Sequence, residues 1–450
     1  MLTKNQRIRT TIESVSSDGS GVSRHDGMVI FTPYTAPGDF VDIVIVKTAK
    51  THAYGKIIEI LKPSECRIEP GCAYFMRCGG CAFRHIEYEE ELEIKHRIVA
   101  DSLSRIGKIK TVIRDIIPAP STDSYRNKAQ LPVFGGEEGL DFGFYAPRSH
   151  RVIPIGSGCL LHSQIMAEIA ETCCRLLGET GVTAYDETNH SGQLRHIIIR
   201  ESGDGSVMLA LVMNADRFPG ELEFCGLMTE KFSCIKTILI NNNTDMTNVI
   251  LGKNTRVIRG GGFIYDRLAE VPIRLSLASF FQVNRQAAER LYGVIKKYAA
   301  PSNSKTLLDL YCGVGSIGLS MAGDLNKLVG ADVVREAVGD AEWSAGNMGI
   351  NNAEFICADA AAAAERFTEK GEKADIVITD PPRKGCDRRT LQAIEKIAPE
   401  CLIMVSCNPA SLARDLAFLS ERGFRAAEIT PVDMFPRTPH VECVALLKKI

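Results

Sequence analysis

The stretch "TLLDLYCGVGSIGLSMA" (residues 306–322) reads as a buried strand, a glycine turn and a helix, with Gly313, Gly315 and Gly318 in G-x-G-x-x-G spacing. Such a turn brings a cofactor close to the backbone at the carboxyl end of a strand. A dinucleotide is one occupant with that chemistry. Two features lean away from it. Asp309 lies on the strand before the glycines, and each later strand end supplies an acid: Asp332 in "VGADV", Asp359 in "CADA" and Asp380 in "TDPPRKG". A row of carboxylates can hold a ribose, an adenine amino group and a cationic centre, which S-adenosylmethionine presents together. The plain alternative for each acid is a cap on the following helix.

From residue 283 onward, helices alternate with apolar runs such as "KLVGADV", "ADIVITDPP" and "CLIMVSC", the pattern of a parallel, doubly wound sheet. Ahead of it the pattern changes twice. Residues 122–280 mix strands ("YRNKAQLPVF", "LDFGFYAP", "LRHIIIRES") with a helix, "SQIMAEIAETCCRLLGETG". Residues 5–62 are short β-rich runs broken by "SDGSG" and "PYTAPG", which suits a small five-stranded barrel of the oligonucleotide-binding type. With eight Lys and Arg against six Asp and Glu over residues 1–62, the barrel is only slightly basic, and a purely structural barrel fits equally well.

A chain of 450 residues is long for one core and implies two or three domains. The net charge of -2 leaves no global basic signature, so nucleic acid would have to meet local positive charge. Two segments offer it: "YRNKAQLP" with Arg126 and Lys128, and "FYAPRSHRV" with Arg148, His150 and Arg151, where aromatic and basic residues interleave. No apolar run reaches membrane-spanning length and "MLTKNQRIRT" lacks the core of a signal peptide, so a cytoplasmic protein is expected.

Fifteen cysteines, an odd number, argue for reduced thiols, metal ligands or catalysis over a disulfide framework. Cys173, Cys174, Cys357, Cys401 and Cys443 sit in apolar patterns and read as core. Cys407 differs. It follows the strand "LIMVS" directly and precedes Asn408-Pro409, which ends the strand sharply and places the thiol at the same crevice as the acids. Cys72, Cys78 and Cys81 in "CAYFMRCGGC" give C-x5-C-x2-C, one ligand short of a four-cysteine site.

Taken together, "DLYCGVGSIGL", "DPPRKG", "VSCNPASLARDL" and "MFPRTPHVECVALL" closely resemble the RNA uracil-C5 methyltransferases. The N-terminal barrel resembles a TRAM domain, and "CAYFMRCGGC" resembles the cluster motif of the branch acting on 23S ribosomal RNA. The resemblance implies S-adenosylmethionine as methyl donor. It also implies a uridine in folded RNA as acceptor, with 23S ribosomal RNA expected and tRNA the alternative.

It further implies Cys407 as nucleophile at C6 of the base, Glu442 of "PHVECV" as the base that removes the C5 proton, and Asp380 beside both. Gln282 of "SFFQVN", Tyr311, Ser316, Asp332, Asp359 and Asp380 fall at cofactor positions, with Asp332 where the family more often has Glu. Asp309 is expected to support the glycine turn. Cys159 matches a distant fourth ligand, giving a site for zinc or a [4Fe-4S] cluster, with iron and sulfur favoured by the resemblance and Cys66 outside the site.

The expected architecture is α/β: a Rossmann-like methyltransferase domain (90–121 and 281–450), an OB-like TRAM barrel (1–62) and a mixed α/β iron-sulfur domain (63–89 and 122–280), in a monomer. An NAD-dependent iron-sulfur oxidoreductase would explain the glycines and cysteines but leave "SCNP" and "PHVEC" without a task. A non-catalytic RNA-binding protein would need neither Cys407 nor Glu442.

Overall fold

The computed structural model describes residues 2–136, 139–156 and 158–450. Its largest sheet has eight strands, running in space as Ala353–Cys357, Lys327–Asp332, Thr306–Leu310, Ile376–Thr379, Cys401–Ser406, Glu442–Lys449, Phe424–Val432 and Val112–Ile113. The first five are parallel. Successive strands run outward from Thr306–Leu310 on one side, then on the other, so a topological switch point lies between Thr306–Leu310 and Ile376–Thr379. Ligands of open α/β sheets bind there, outside the carboxyl ends. Every residue of Ile376–Thr379 and Cys401–Ser406 is buried, as helices on both faces require.

Strand Glu442–Lys449 enters antiparallel, with Ser406 paired to Cys443. The last strand, Val112–Ile113, comes from far upstream, and helix Tyr88–Ser102 precedes it. That helix is fixed by a fully buried charge cluster: Lys95 Nζ donates to Glu91 Oε1 and Asp433 Oδ1, both at 2.7 Å, and to Phe435 O at 3.1 Å. Tyr88 OH adds a bond to Asp433 at 2.8 Å.

A seven-stranded sheet occupies the middle of the chain, in the order Val152–Pro154, Gly139–Tyr145, Lys128–Gly136, Leu194–Glu201, Val207–Met213, Ile235–Asn242, Asn254–Arg259. Helices Gln164–Glu179 and Glu221–Lys231 bury Ile169, Cys173, Leu177, Phe224 and Met228 against it. Cys173, Cys174, Cys401 and Cys443 are buried as expected, but Cys357 is exposed, because it ends the edge strand of the large sheet.

The N-terminal sheet has six strands where the sequence suggested five. The run from Arg7 to Val15 breaks into Arg7–Thr11, paired with Phe40–Thr48, and Ser14–Val15, paired with Ser20–His25. At the break, Ile12 N bonds to Asp39 O and Glu13 N to Val22 O. One continuous segment thus joins both edges of the sheet and closes it around Ile8, Ile12, Ile30, Val41, Ile43 and Ile45.

Lys95 is the cation between two buried carboxylates, and Arg437 Nη1 also reaches Glu91, at 3.4 Å; Lys95→Met therefore leaves Asp433 uncompensated and should cost about 3–5 kcal/mol. Urea unfolding of the variant measures this. Combining it with Asp433→Asn should recover most of the loss.

Candidate active site

The glycine turn closes as its residues dictate. Gly313 and Gly315 take φ of +55° and +74°, and a Cβ on Gly315 would meet Phe355 and Ala341 at 2.9 and 3.0 Å. Asp309, buried on the strand below, accepts from Gly318 N at 3.1 Å; burial pushes its carboxyl up to about 8. It supports the turn, as the sequence suggested. Asp332 ends the neighbouring strand and accepts from Gly313 N at 3.0 Å and Val334 N at 2.8 Å, so its carboxylate faces the turn. Asp359 caps helix Ala360–Glu369 through Ala362 N at 3.0 Å, with one carboxylate oxygen on the cap.

Ser316 Oγ lies 2.6 Å from Tyr292 OH, and Tyr311, at φ +66°, is 3.4 Å from Thr390 Oγ1 through its hydroxyl. Gln282 is held from behind, its main-chain oxygen accepting from Asn127 Nδ2 at 2.9 Å. Asp332, Ser316 and Tyr311 thus gather at the glycine turn, from two adjacent strand ends. Asp359 belongs to the strand end beyond Asp332, and Gln282 arrives on the segment before helix Arg285–Ala299.

Two strands along, Ser406 and Asn408 make a tight turn: Asn408 N donates to Ser406 Oγ at 3.2 Å, and Ser406 Oγ to Asn408 O at 3.1 Å. Asn408 Oδ1 then caps helix Pro409–Ser420, whose first-turn proline needs no hydrogen-bond donor. Cys407 is therefore held at the strand end, half-buried. Antiparallel pairing of Ser406 with Cys443 brings Glu442 alongside it.

Glu442 is buried and its Oε2 has no hydrogen-bond partner. Burial, then the charge of Asp380, raise its carboxyl well above the usual range, while Arg383 acts against them. Burial alone pushes Asp380 up to about 6. The Cys407 thiol is pushed up to about 11 by burial and then by Glu442, with Arg383 opposing. The Cys407 thiol and the Asp380 and Glu442 carboxyls thus act on one another, with the exposed Arg383 guanidinium as the opposing charge. Arg383 Nη2 donates to His440 Nε2 at 3.1 Å, and Asn408 Nδ2 donates to Arg383 O at 3.1 Å. Burial and Arg383 lower His440 to about 4, so it stays a neutral acceptor. The sequence reading gave no role to Arg383 or His440; their signal was adjacency to Asp380 and Glu442 in the quoted motifs.

Cys72, Cys78, Cys81 and Cys159 line one cavity of about 540 Å³. Cys66 is elsewhere, 3.2 Å from Ser64 Oγ. Arg84, Arg126, Lys128 and Arg200 line the same cavity, and the buried Nε atoms of Arg126 and Arg200 have no partner. Arg126 and Lys128, expected on an open RNA surface, are recessed here, whereas Arg148 and His150 stand exposed. Among the described residues no three His, Cys, Asp or Glu side chains are drawn together closely enough to hold a metal ion. The donor set and the unpartnered guanidinium atoms nevertheless fit an anionic tetrathiolate centre.

The large sheet with its glycine turn and strand-end acids is a methyltransferase fold. The model for tRNA (uracil-5-)-methyltransferases matches residues 264–450, and that for the TRAM domain matches residues 2–58. An uncharacterized RNA methyltransferase of Halalkalibacterium halodurans is 37% identical over 447 residues, 99% of this chain and 97% of its own. One from Clostridium tetani is 36% identical over 99% of this chain and 96% of its own.

Among solved structures, Pyrococcus abyssi tRNA (uracil-54, C5)-methyltransferase, in complex with S-adenosyl-L-homocysteine, superposes with a TM-score of 0.78. It is 25% identical, covering 98% of this chain and all of that one. The chain belongs to the TRAM-containing, S-adenosylmethionine-dependent RNA (uracil-5-)-methyltransferase family. Among the described residues no helix is long and apolar enough to cross a membrane.

Replacing Glu442 by Gln removes the charge that acts most strongly on the Cys407 thiol. The alkylation midpoint of Cys407, followed by iodoacetamide and mass spectrometry against pH, should fall from about 11 in Glu442→Gln. An unchanged midpoint would separate the two groups.

Proposed function

We propose that the protein methylates C5 of a uridine in structured RNA through a covalent Cys407 adduct, with 23S ribosomal RNA as first acceptor. The observation that carries this reading is the juxtaposition of a half-buried thiol, Cys407, with a buried carboxylate, Glu442, whose Oε2 has no partner, at the same sheet edge as the glycine turn. C5 of uracil is too weak a nucleophile unaided. Attack of the Cys407 thiolate on C6 breaks the C5–C6 π bond and moves its electron pair through C5 to O4, making C5 an enolate carbon. S-adenosylmethionine, when bound, supplies an electrophilic methyl group.

Glu442 Oε2 then takes the C5 proton; the electron pair of that C–H bond re-forms the C5–C6 double bond and expels Cys407 as thiolate. A carboxylate raised by burial is a stronger proton acceptor than an exposed one. Asp332, Ser316, Tyr311 and Gln282 orient the donor, with Asp359 at its rim and Asp380 between donor and base. Arg383 offsets the negative charge that thiolate and carboxylate bring together.

Cys72, Cys78, Cys81 and Cys159 would hold a [4Fe-4S] cluster, tying residues 72–81 to the central sheet. Anaerobically prepared protein should then carry roughly four iron atoms per chain, and Cys78→Ser should lose them. The cysteine motif supports ribosomal RNA; the similarity to a tRNA-acting enzyme supports the second reading, tRNA.

Labelled methyl transfer to unmodified 23S ribosomal RNA and, separately, to tRNA decides between them, with 5-methyluridine as product. Cys407→Ala should abolish it, and Glu442→Gln should accumulate a covalent RNA adduct. Thiol and carboxylate are both raised, and both act deprotonated, so the single-turnover rate should climb with pH from 7 to 9. A flat profile would contradict these roles.

A further inference from the structure

The barrel carries an aromatic surface that its core does not need. Ile30 and Thr32 on strand Met28–Pro33, and Ala53 on strand His52–Lys62, point inward and are fully buried. The alternate residues Phe31, His52 and Tyr54 therefore point outward. Parallel pairing sets Phe31 beside Tyr54 and Val29 beside His52. The three rings touch: centroids are 5.6 Å apart for Phe31 and His52, 5.9 Å for Phe31 and Tyr54, and 5.2 Å for His52 and Tyr54. All three remain half-exposed, and the barrel interior closes without them.

A second part of the chain meets this surface. Arg148, in the loop after strand Gly139–Tyr145, places its guanidinium 6.0 Å from the Tyr54 ring centroid while its side chain stays 76% exposed. Its ion-pair partner, Asp18, is 3.9 Å away, a loose and solvated contact that leaves the cation available. The strand end from which this loop leaves is tied to the cysteine motif, where Gly79 N donates to Tyr145 O at 3.1 Å. Nearby, Tyr34 and Phe75 pack edge to face at 5.4 Å and extend the aromatic path from the barrel toward that motif.

We propose that Phe31, His52, Tyr54 and Arg148 form a binding site for an unpaired RNA segment, whose bases stack on the rings and whose phosphate pairs with the guanidinium. Flat, half-exposed rings backed by one exposed, loosely paired cation suit bases and a phosphodiester. A protein partner would call for a larger apolar centre than this strip provides. The assignment rests on RNA being the substrate. It places a grip on RNA at the seam between barrel and central sheet, outside the crevice of Cys407, in addition to the uridine that must leave its stack.

The test uses the full chain and a labelled single-stranded RNA dodecamer, with fluorescence anisotropy read at several salt concentrations. Phe31→Leu with Tyr54→Leu should weaken binding about ten-fold with the salt slope intact, because stacking releases no counterion. Arg148→Ala should flatten the slope by about 0.7, the loss of one single-strand phosphate contact. With whole RNA substrate, both variants should raise KM more than they lower kcat. Heat stabilisation by S-adenosylhomocysteine verifies that each variant is folded.

Wild-type affinity and slope in both folded variants would overturn the site, as would a loss confined to kcat. Methyl transfer by the wild type judges the enzymatic reading separately. Transfer with unaltered binding in the variants would sink only the site, whereas altered binding without any transfer to RNA would sink only the enzymatic assignment.

Discussion

The antiparallel pairing of strand Cys401–Ser406 with strand Glu442–Lys449 is the constraint on which the site depends. The parallel strands deliver their acids to one crevice, but a parallel neighbour would bring only another carboxyl end. Reversing the last strands brings an amino end to the same edge, so Glu442, which begins its strand, lies beside Cys407, which follows its own. The thiol and the carboxylate are thus positioned by the strand ladder that ends at Ser406 and Cys443, a more precise placement than loops alone provide.

The segment leading into Glu442 is anchored independently. Asp433 is locked to Lys95 and Tyr88, Arg437 N donates to Glu91 Oε1 at 2.7 Å, and Tyr125 OH donates to Pro436 O at 3.1 Å. Ala82 and Phe83, directly after the last cysteine of the motif, donate their amides to Arg437 O at 2.9 and 3.1 Å. The cysteine motif and the segment leading into Glu442 therefore meet through main-chain contacts. A four-thiolate centre at Cys72, Cys78, Cys81 and Cys159 would stiffen that junction without joining the chemistry.

How much was legible in the sequence follows from the range of each interaction. The glycine turn, the supporting role of Asp309 and the sharp end at Cys407-Asn408-Pro409 are local, and residue order specifies them. The buried cluster of Lys95, Glu91 and Asp433 was not legible, because its partners lie up to 338 residues apart and each reads as an ordinary surface charge. The exposed Cys357 was misread because a run such as "AEFIC" does not reveal whether its strand is central or at an edge. Arg126 and Lys128 looked like surface charge in "YRNKAQLP"; only the fold turns them toward the cysteines. The role of Arg383 likewise required knowing which groups face it.

The most direct test of the central claim is to incubate the protein with S-adenosylmethionine and RNA in which uridine is replaced by 5-fluorouridine. With fluorine at C5 there is no proton for Glu442 to remove, so the reaction should halt as a covalent complex. Digestion and mass spectrometry should then find a methylated fluorouracil on Cys407. A stable complex mapped to another cysteine, or methylated RNA without any linkage to protein, would contradict the account.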